Sequence, residues 1–178
     1  MSTRILSCPV PGDINPLSPN GYQFSIERLP ELTYFCQEVN LPDVSLGISE
    51  VSTPFSTYHT PGDRLQFGDL NVQFLVDTQM QNYRAVLNWM NGLGFPENYK
   101  QYTDQVRTDM AYRGETPSTL SDATLIILNN NNIPIKYVKF VDCFPISLSS
   151  MTFSSTVQDV NYIVGNATFR FSYYKFED

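Results

Sequence analysis

Residues 70–77 read Leu-Asn-Val-Gln-Phe-Leu-Val-Asp, and this stretch decides the fold class. Leu70, Val72, Phe74 and Val76 are apolar, and the positions between them are polar apart from one leucine. Successive side chains of a β-strand point to opposite faces, so the alternation places these four side chains on one face. The stretch therefore predicts a half-buried strand.

Five other segments also have the apolar patterns of strands, by alternation or as short apolar runs, which predicts a chain rich in strands. These segments are 22–26, 32–36, 123–128, 133–141 and 163–173. Leu29-Pro30-Glu31 is predicted to turn the chain between the first two. Four asparagines at 129–132 separate the third and fourth, and asparagine tolerates the left-handed conformations of a tight hairpin turn.

A change of parity interrupts one further predicted strand. Ile146 and Leu148 are followed by Met151 and Phe153, so the apolar side chains move to the other face. A β-bulge at residues 149–150 would produce this change, and it would bend the sheet as the wall of a barrel requires.

One amphipathic helix is predicted directly after the strand at 70–76. Thr78 and Gln81 have the spacing of a capping box, and Gly94 is a typical stop signal. The apolar residues at helical spacing are Met80, Tyr83, Leu87, Met90 and Leu93. We expect this apolar face to pack on the sheet. Residues 95–121 are polar and rich in turn-forming residues, which predicts a loop.

The segment from residue 40 to residue 63 is long for a plain connection. It is rich in proline, glycine, serine and threonine, and its apolar residues are scattered. Two interpretations remain open: a projecting hairpin that finds its partner on another subunit, or a flexible surface loop. The scattered apolar residues are Val44, Leu46, Ile48, Val51, Phe55 and Tyr58.

The composition fits one domain of the mainly β (α+β) class. The chain has 178 residues, of which 42% are hydrophobic, 13% aromatic and only 16% charged. Four prolines lie within residues 1–20, so this part is predicted to be an extended arm that precedes a single domain at 21–178. The apolar part of the N-terminus is too short for a signal peptide, and no segment is long enough to cross a membrane.

The charge balance argues against tight binding of nucleic acid. The formal net charge is -7, with 11 lysines and arginines against 18 aspartates and glutamates. Such a chain lacks the basic stripe that neutralises a phosphate backbone. An acidic surface does not exclude nucleic acid as a passenger, because like charge lets a polyanion slide past without sticking.

The sequence offers no catalytic, cofactor or metal site. His59 is the only histidine, and the three cysteines, Cys8, Cys36 and Cys143, have no metal-binding spacing and are expected to be reduced thiols. A nucleophilic pair of Cys36 and His59 is conceivable, but a cysteine that faces the core of a sheet is normally inert. Phosphate-binding and zinc-protease motifs are absent from the sequence. We therefore expect a protein that is not an enzyme.

Five stretches, taken in order, resemble the tail tube family of T-even-like contractile phages. The order of strand, long excursion, Pro-Gly-Asp-Arg, strand and helix is the most specific part of the resemblance. Residues 140–147, Phe-Val-Asp-Cys-Phe-Pro-Ile-Ser, are also similar to a motif of the baseplate hub and tube initiator proteins that share this fold. The stretches are 35–42, 61–67, 72–77, 82–89 and 140–147.

The resemblance implies a β-barrel or sandwich with one flanking helix and a long projecting hairpin. It implies that the subunits form six-fold rings that stack into the tube through which DNA leaves, or that cap this tube. The expected partners are other copies of the chain, stacked tube or baseplate rings, and the sheath and tape-measure proteins. The protein would be part of the virion and would be assembled in the host cytoplasm, with no contact to a membrane.

Two sets of residues follow from the resemblance. The residues expected to contact a neighbouring subunit lie on or next to the projecting segment, and they are Val44, Leu46, Ile48, Val51, Phe55, Tyr58, Asp63 and Arg64. The residues expected in the barrel wall lie in the strands near 70–76 and 147–153, and they are Val72, Phe74, Val76, Leu148, Met151 and Phe153.

Two alternatives stay open at this point. The chain departs from the family pattern in its proline-rich arm and in Gly94-Phe95-Pro96, so it could form the main tube, or the initiator, baseplate hub or terminator ring. A different class of protein, a β-sandwich adaptor that binds a host surface through exposed tyrosines, would stay monomeric or trimeric.

Overall fold

The computed structural model describes residues 16–113, 119–156 and 162–177, and of residues 108–113 it describes only the backbone. The predicted arm at 1–20 therefore lies outside the described residues as far as position 15.

Nine strands and three helices occur in these described ranges. The strands are β1 (Tyr22–Ile26), β2 (Cys36–Val39), β3 (Val44–Ser52), β4 (Thr57–Phe67), β5 (Leu70–Leu75), β6 (Ser121–Leu128), β7 (Pro134–Leu148), β8 (Val164–Arg170) and β9 (Tyr173–Glu177). The helices are α1 (Pro30–Phe35), α2 (Gln81–Gly94) and α3 (Lys100–Arg113). The mainly β class is confirmed.

Seven strands form one antiparallel sheet in the order β1-β6-β7-β8-β5-β2, with β9 paired to β7. The long strand β7 belongs to two parts of this sheet. Its first part pairs with β6 and β9, and its last part pairs with β8. No closed barrel forms among the described residues, since β1 and β2 are the two ends of the sheet. The remaining strands, β3 and β4, pair only with each other.

The change of partner along β7 occurs at Asp142, whose φ is 58°. A left-handed conformation breaks the regular strand, and the register between β6 and β7 shifts at the same place. Three hydrogen bonds hold the corner. Asp122 Oδ1 accepts from Asp142 N at 3.3 Å, Ser172 Oγ donates to Asp142 Oδ2 at 3.2 Å, and Ser172 N donates to Val141 O at 2.9 Å.

Both parts of the sheet contribute to one core. The inward positions of the strands are almost fully buried, and Val86 and Trp89 of α2 join them. The Trp89 ring lies 6.2 Å from that of Phe169, and Trp89 Nε1 donates to Thr119 O at 3.0 Å. The largest buried side chains of the sheet are Phe24, Phe74, Phe140 and Phe169. Burial of each contributes about 1.5–3 kcal/mol to stability.

The predicted helix is confirmed as α2, but it does not begin with the predicted capping box. Its N-cap is Met80, with a φ of 55° and no hydrogen bond from a capping side chain. Asn82 orders this end instead, because its Oδ1 accepts from Tyr83 N at 2.8 Å and its Nδ2 donates to Leu75 O at 2.7 Å. The buried amide thus ties the start of α2 to the end of β5.

Two further helices were not predicted, so the turn and strand expected at 29–36 and the loop expected at 95–121 were wrong. Residues 30–35 form α1, not a turn followed by a strand: Pro30 occupies the first turn, Leu32 enters the core, and Tyr34 is 87% exposed. Within the predicted loop at 95–121 lies α3, whose mostly polar sequence shows no helical apolar period. Its residue types favour a helix by intrinsic propensity, which the search for an apolar period did not detect.

The predicted bulge at residues 149–150 was also wrong, because β7 ends at Leu148. Met151 and Phe153 follow the strand, and the shift of register lies earlier, between Pro145 and Ser147. The predicted hairpin around the asparagines is confirmed, with Asn132 in the left-handed region at a φ of 59°.

The two described cysteines are free thiols in strands. Cys143 is buried in the core, and burial raises the pKa of its thiol to about 12. Cys36 is partly buried, and burial raises the pKa of its thiol to about 11. Both groups therefore stay protonated at neutral pH, which makes them poor nucleophiles.

We predict that Gly165→Ala destabilises the protein by about 1–3 kcal/mol, because a methyl group there would overpack the core. A Cβ atom at this position would lie 2.9 Å from the Phe74 ring. Gly94→Ala is the matched control: no atom lies within 4 Å of its Cβ position, and alanine is the better helix former by about 0.5–1 kcal/mol. Urea unfolding with an unchanged m-value measures both effects. An unfolding midpoint for Gly165→Ala equal to the native one would contradict this packing.

We predict that iodoacetamide labels Cys36 of the folded protein at pH 8 about a hundred times more slowly than the same cysteine in urea, because the thiolate fraction falls tenfold for each unit of pKa. The rate should rise steeply only as the pH approaches the raised pKa of about 11. Peptide mass spectrometry after timed labelling separates the cysteines. Equal rates in the folded and unfolded chain would contradict the burial of Cys36.

Candidate functional site: a projecting hairpin and open sheet edges

Strands β3 and β4 form a hairpin that pairs with no other strand. Every residue of β3 is exposed, and so are most residues of β4. Pairing runs from Val44 opposite Phe67 at the base to Ser52 opposite Thr57 near the tip. Of the two interpretations of this segment, the structure supports the projecting hairpin.

Two hydrogen bonds close the tip of the hairpin. Thr53 N donates to Ser56 O at 3.0 Å, and Ser56 N donates to Thr53 Oγ1 at 3.2 Å. Phe55 stands in this turn and is 99% exposed. Two strand pairs below Ser52 and Thr57, His59 Nδ1 lies 3.7 Å from Glu50 Oε1. The tip therefore presents an aromatic ring above a polar pair.

Two close approaches fix the lower part of the hairpin. At an irregularity in the pairing, the backbone of Gly62 lies so near Gly47 that a Cβ atom would come within 2.5 Å of Gly47 O. A side chain at position 62 would force the strands apart. At the base, Phe67 packs its ring 5.8 Å from that of Phe171 and 5.5 Å from that of Tyr174, which anchors the hairpin on the core.

All eight residues predicted to contact a subunit lie on this hairpin, and all eight are exposed. Val44, Leu46, Ile48 and Val51 belong to β3, Phe55 to the tip, and Tyr58, Asp63 and Arg64 to β4. Leu65, which pairs with Leu46 and is also exposed, was missed. The signal was present, because the apolar Leu65 and Phe67 alternate with the polar Gln66.

The two ends of the large sheet, β1 and β2, lie close together. The Tyr22 hydroxyl of β1 donates to Gln37 O of β2, so a side chain bridges two strands that do not pair. Between them lies a shallow pocket of about 440 Å³ that is also lined by Tyr34. An edge strand has no partner on its outer side, and the free backbone N–H and C=O groups there are the usual basis for pairing with another chain. The exposed Tyr34 was missed because its segment was interpreted as a strand.

The residues predicted for a barrel wall fall into two groups. Val72 and Phe74 of β5 are buried in the core, and Val76 and Leu148 pack against it. Met151 and Phe153 lie beyond the end of β7, and Phe153 is 71% exposed. The strand that was expected to carry these last two residues ends before it reaches them.

The part of the sheet formed by β5 and β8 has a polar outer face. Its side chains alternate with buried residues and are joined by hydrogen bonds. Thr168 Oγ1 donates to Asn71 Oδ1 at 3.0 Å, and Arg170 Nε donates to Asp69 Oδ1 at 2.6 Å. We call this surface the polar face, and it consists of Asp69, Asn71, Gln73, Asn166, Thr168 and Arg170.

The conceivable catalytic pair is not supported. His59 is on the hairpin beside Glu50, whereas Cys36 begins β2 and donates to Glu38 O at 3.8 Å. Within the described ranges, no group of three or more histidine, cysteine, aspartate or glutamate residues is placed to hold a metal ion. The helices in those ranges are too short or too polar to cross a membrane.

The comparisons with known proteins agree with this architecture. A family model described as phage tail tube protein matches residues 11–177. A comparison with curated protein sequences gave no match.

Solved structures show the same fold at low sequence identity. The sheath–tube complex of an extracellular contractile injection system, PVC, contains a chain that is 17% identical, with a TM-score of 0.60 and coverage of 91% of both chains. A chain of the tube-terminating cap of the anti-feeding prophage is 13% identical, with a TM-score of 0.63 and coverage of 99% of both chains. The baseplate of the same particle contains a chain that is 11% identical, with a TM-score of 0.55 and coverage of 88% of this chain and 90% of that one.

Because the family model spans nearly the whole sequence, the resemblance found in the sequence is confirmed, and the chain belongs to the phage tail tube protein family, a family of structural proteins and not of enzymes.

Proposed function

We propose that this tail tube protein assembles into six-fold rings that form the inner tail tube of a contractile phage tail, or the baseplate-proximal end of that tube. The observation that carries the proposal is the hairpin, whose apolar side chains project from the domain and are not covered by any other part of the described ranges. The proposed ring makes the hairpin part of an interface between subunits.

The physical case rests on the exposed apolar surface of the hairpin. A two-stranded hairpin that stands alone is only marginally stable in water. Ile48 is 70% exposed and Phe55 is 99% exposed, and further large apolar side chains lie on the same two strands. Contiguous apolar surface of this kind is typical of a protein interface. Covering the hairpin with another copy would offset the cost of this exposure.

The open sheet edges give the subunits a second way to join. Strands β1, β2 and β9 each pair with only one strand, and the described part of the chain does not close the sheet. In a ring, the edge of one subunit can pair with an edge of the next, which leaves no free edge once the ring is closed. A continuous inner barrel built in this way would contain Val72 and Phe74 in its wall.

We propose that the polar face lines the inside of such a ring. The Thr168 hydroxyl donates to the Asn71 amide oxygen, and the arginine of this face is paired with Asp69. A face of this kind is hydrated and carries no basic stripe, which suits DNA as a passenger during ejection. The sheath and tape-measure proteins are proposed as further partners, outside and inside the tube respectively.

The position of the ring along the tail has more than one alternative. Chains from a sheath–tube complex, a baseplate, a cap and a sheath/tube terminator share the fold with similar TM-scores, from 0.55 to 0.63. The fold is therefore compatible with a main tube subunit and with an initiator, hub or terminator ring. Assembly in the host cytoplasm and a single domain at 21–178 also remain part of the proposal, and the single described core supports the latter.

We predict that the purified chain sediments with the mass of six copies of a 20.3 kDa subunit and appears as rings by negative-stain microscopy. Rings that stack as the concentration rises would support the main tube, and rings that stay single would support an initiator, hub or terminator. A persistent monomer that binds an isolated ligand would overturn the proposal in favour of the adaptor.

We predict that Ile48→Asp combined with Val51→Asp abolishes ring formation but leaves the thermal unfolding of the monomer unchanged within a few degrees, because both side chains are exposed in the single chain. Ile133→Asp is the matched control, since this isoleucine is 55% exposed at the β6–β7 turn, outside the hairpin. Sedimentation velocity compares the three proteins. Rings that survive in the double variant would exclude the hairpin as the main contact.

A further inference from the structure

The dipeptide Asn-Gly occurs twice in the sequence, at Asn20-Gly21 and at Asn91-Gly92. The first pair lies in the turn that leads into β1, and the second lies near the end of α2. Because the two pairs are chemically identical, a difference in their reactivity must come from the fold. Asn20 belongs neither to the hairpin nor to the polar face, so the proposed ring gives it no role.

An Asn-Gly pair places an electrophile and a nucleophile in adjacent residues. The backbone nitrogen of the glycine, once it has lost its proton to the solvent, can attack Cγ of the asparagine. A bond forms between this nitrogen and Cγ, and the side-chain nitrogen leaves as ammonia with a proton from water. Water then opens the resulting succinimide ring at one of its two carbonyl groups, which gives isoaspartate or aspartate. Glycine favours the attack because it has no Cβ atom to shield its nitrogen.

The fold leaves the reacting atoms of Asn20-Gly21 available. Asn20 is exposed, and it lies in a turn that belongs to no strand or helix. Gly21 N donates to Ser18 O at 3.4 Å, which is longer than the usual range of about 2.7–3.2 Å for this kind of hydrogen bond. An exposed turn with such a weak hydrogen bond can rotate into the geometry of attack at little cost.

Helix α2 blocks the same reaction at Asn91-Gly92. Both residues lie inside the helix, where the N–H of residue 92 points toward the carbonyl group four residues earlier. Gly92 is buried, and a Cβ atom there would come within 1.3 Å of Gln105 Oε1, so this side chain lies directly over it. Asn91 O also accepts from Phe95 N at 2.6 Å. Attack therefore requires this end of the helix to open first, and the rate falls with the population of the open form.

We propose that Asn20-Gly21 is a site of succinimide formation in the folded protein, that water converts the ring to isoaspartate and aspartate, and that α2 protects Asn91-Gly92. The reaction requires only water besides the chain itself. It needs no enzyme and no second subunit, so the proposal does not depend on ring formation.

The modification changes the entrance to β1 in two ways. The new carboxylate adds a negative charge to the pocket between β1 and β2, which Asn20 lines. In isoaspartate the backbone runs through Cγ and is one carbon longer just before Gly21. Gly21 O accepts from Leu128 N at 2.9 Å, and a Cβ atom at position 21 would lie 2.8 Å from Leu128 O. Because Gly21 is held this closely, the longer link displaces residue 20 and the residues before it.

The test is timed incubation of the purified chain, followed by peptide mass spectrometry that separates isoaspartate from aspartate at each site. At pH 8 we expect Asn20 of the folded chain to react at least about tenfold faster than Asn91. In guanidinium chloride the two rates should agree within about threefold, because the fold that distinguishes the two pairs is lost. The rate at Asn20 should rise about tenfold between pH 7 and pH 8, as the deprotonated fraction of the backbone amide does.

Two variants serve as controls. Asn20→Gln should give no product at position 20 on the same timescale, because attack on the longer side chain would have to form a six-membered ring, which closes more slowly. Asn20→Asp provides the aspartate product as a reference for the separation, and it carries the new charge without the longer backbone.

Three results would overturn the proposal. Equal rates at Asn20 and Asn91 in the folded chain would show that the fold does not select the site. Aspartate without isoaspartate at position 20 would show direct hydrolysis of the amide, which does not pass through the ring. A rate at Asn20 that is at least about tenfold lower in the folded chain than in guanidinium chloride would show that the turn protects this pair as well.

Discussion

The corner in β7 is the constraint on which the rest of the structure depends. One strand of 15 residues supplies pairing edges to both parts of the sheet, and it does so by bending at Asp142. The bend allows the inward side chains of both parts to meet in a single core. Without the bend, the two parts of the sheet would not face a common interior, and Val86 and Trp89 of α2 would have no core to enter.

The same arrangement leaves backbone groups and apolar side chains that the described part of the chain does not cover. The core uses the inward face of the sheet, so the ends of the sheet and the β3–β4 hairpin remain outside it. These surfaces are of two kinds: backbone groups at β1 and β2, and apolar side chains along the hairpin. Pairing between edge strands fixes how one subunit is oriented on the next, and burial of apolar side chains contributes favourable free energy to their association. A protein with both is suited to ordered assembly.

Much of this could be predicted from alternation alone, because a strand with one buried face has a period of two. The alternation around Phe74 and Phe24 located strands correctly, and the scattered apolar residues from Val44 to Tyr58 located the hairpin. Short or polar elements gave no such signal. Helix α1 at 30–35 has only six residues, and with Leu32 as its one buried side chain it shows no helical period. Helix α3 also lacks an apolar period. The contact between α3 and Gly92 could not be predicted, because residue spacing does not encode it.

Phe67 gives the hairpin a mechanical property. This residue ends β4 and also packs on Phe171 and Tyr174. The strand runs from the tip to the aromatic cluster without a loop that could act as a hinge. A force applied at Phe55 is therefore transmitted along the 11 residues of β4 into the interior, as through a rod fixed at one end. Load on the tip would stretch hydrogen bonds of the ladder before it could swing the hairpin aside.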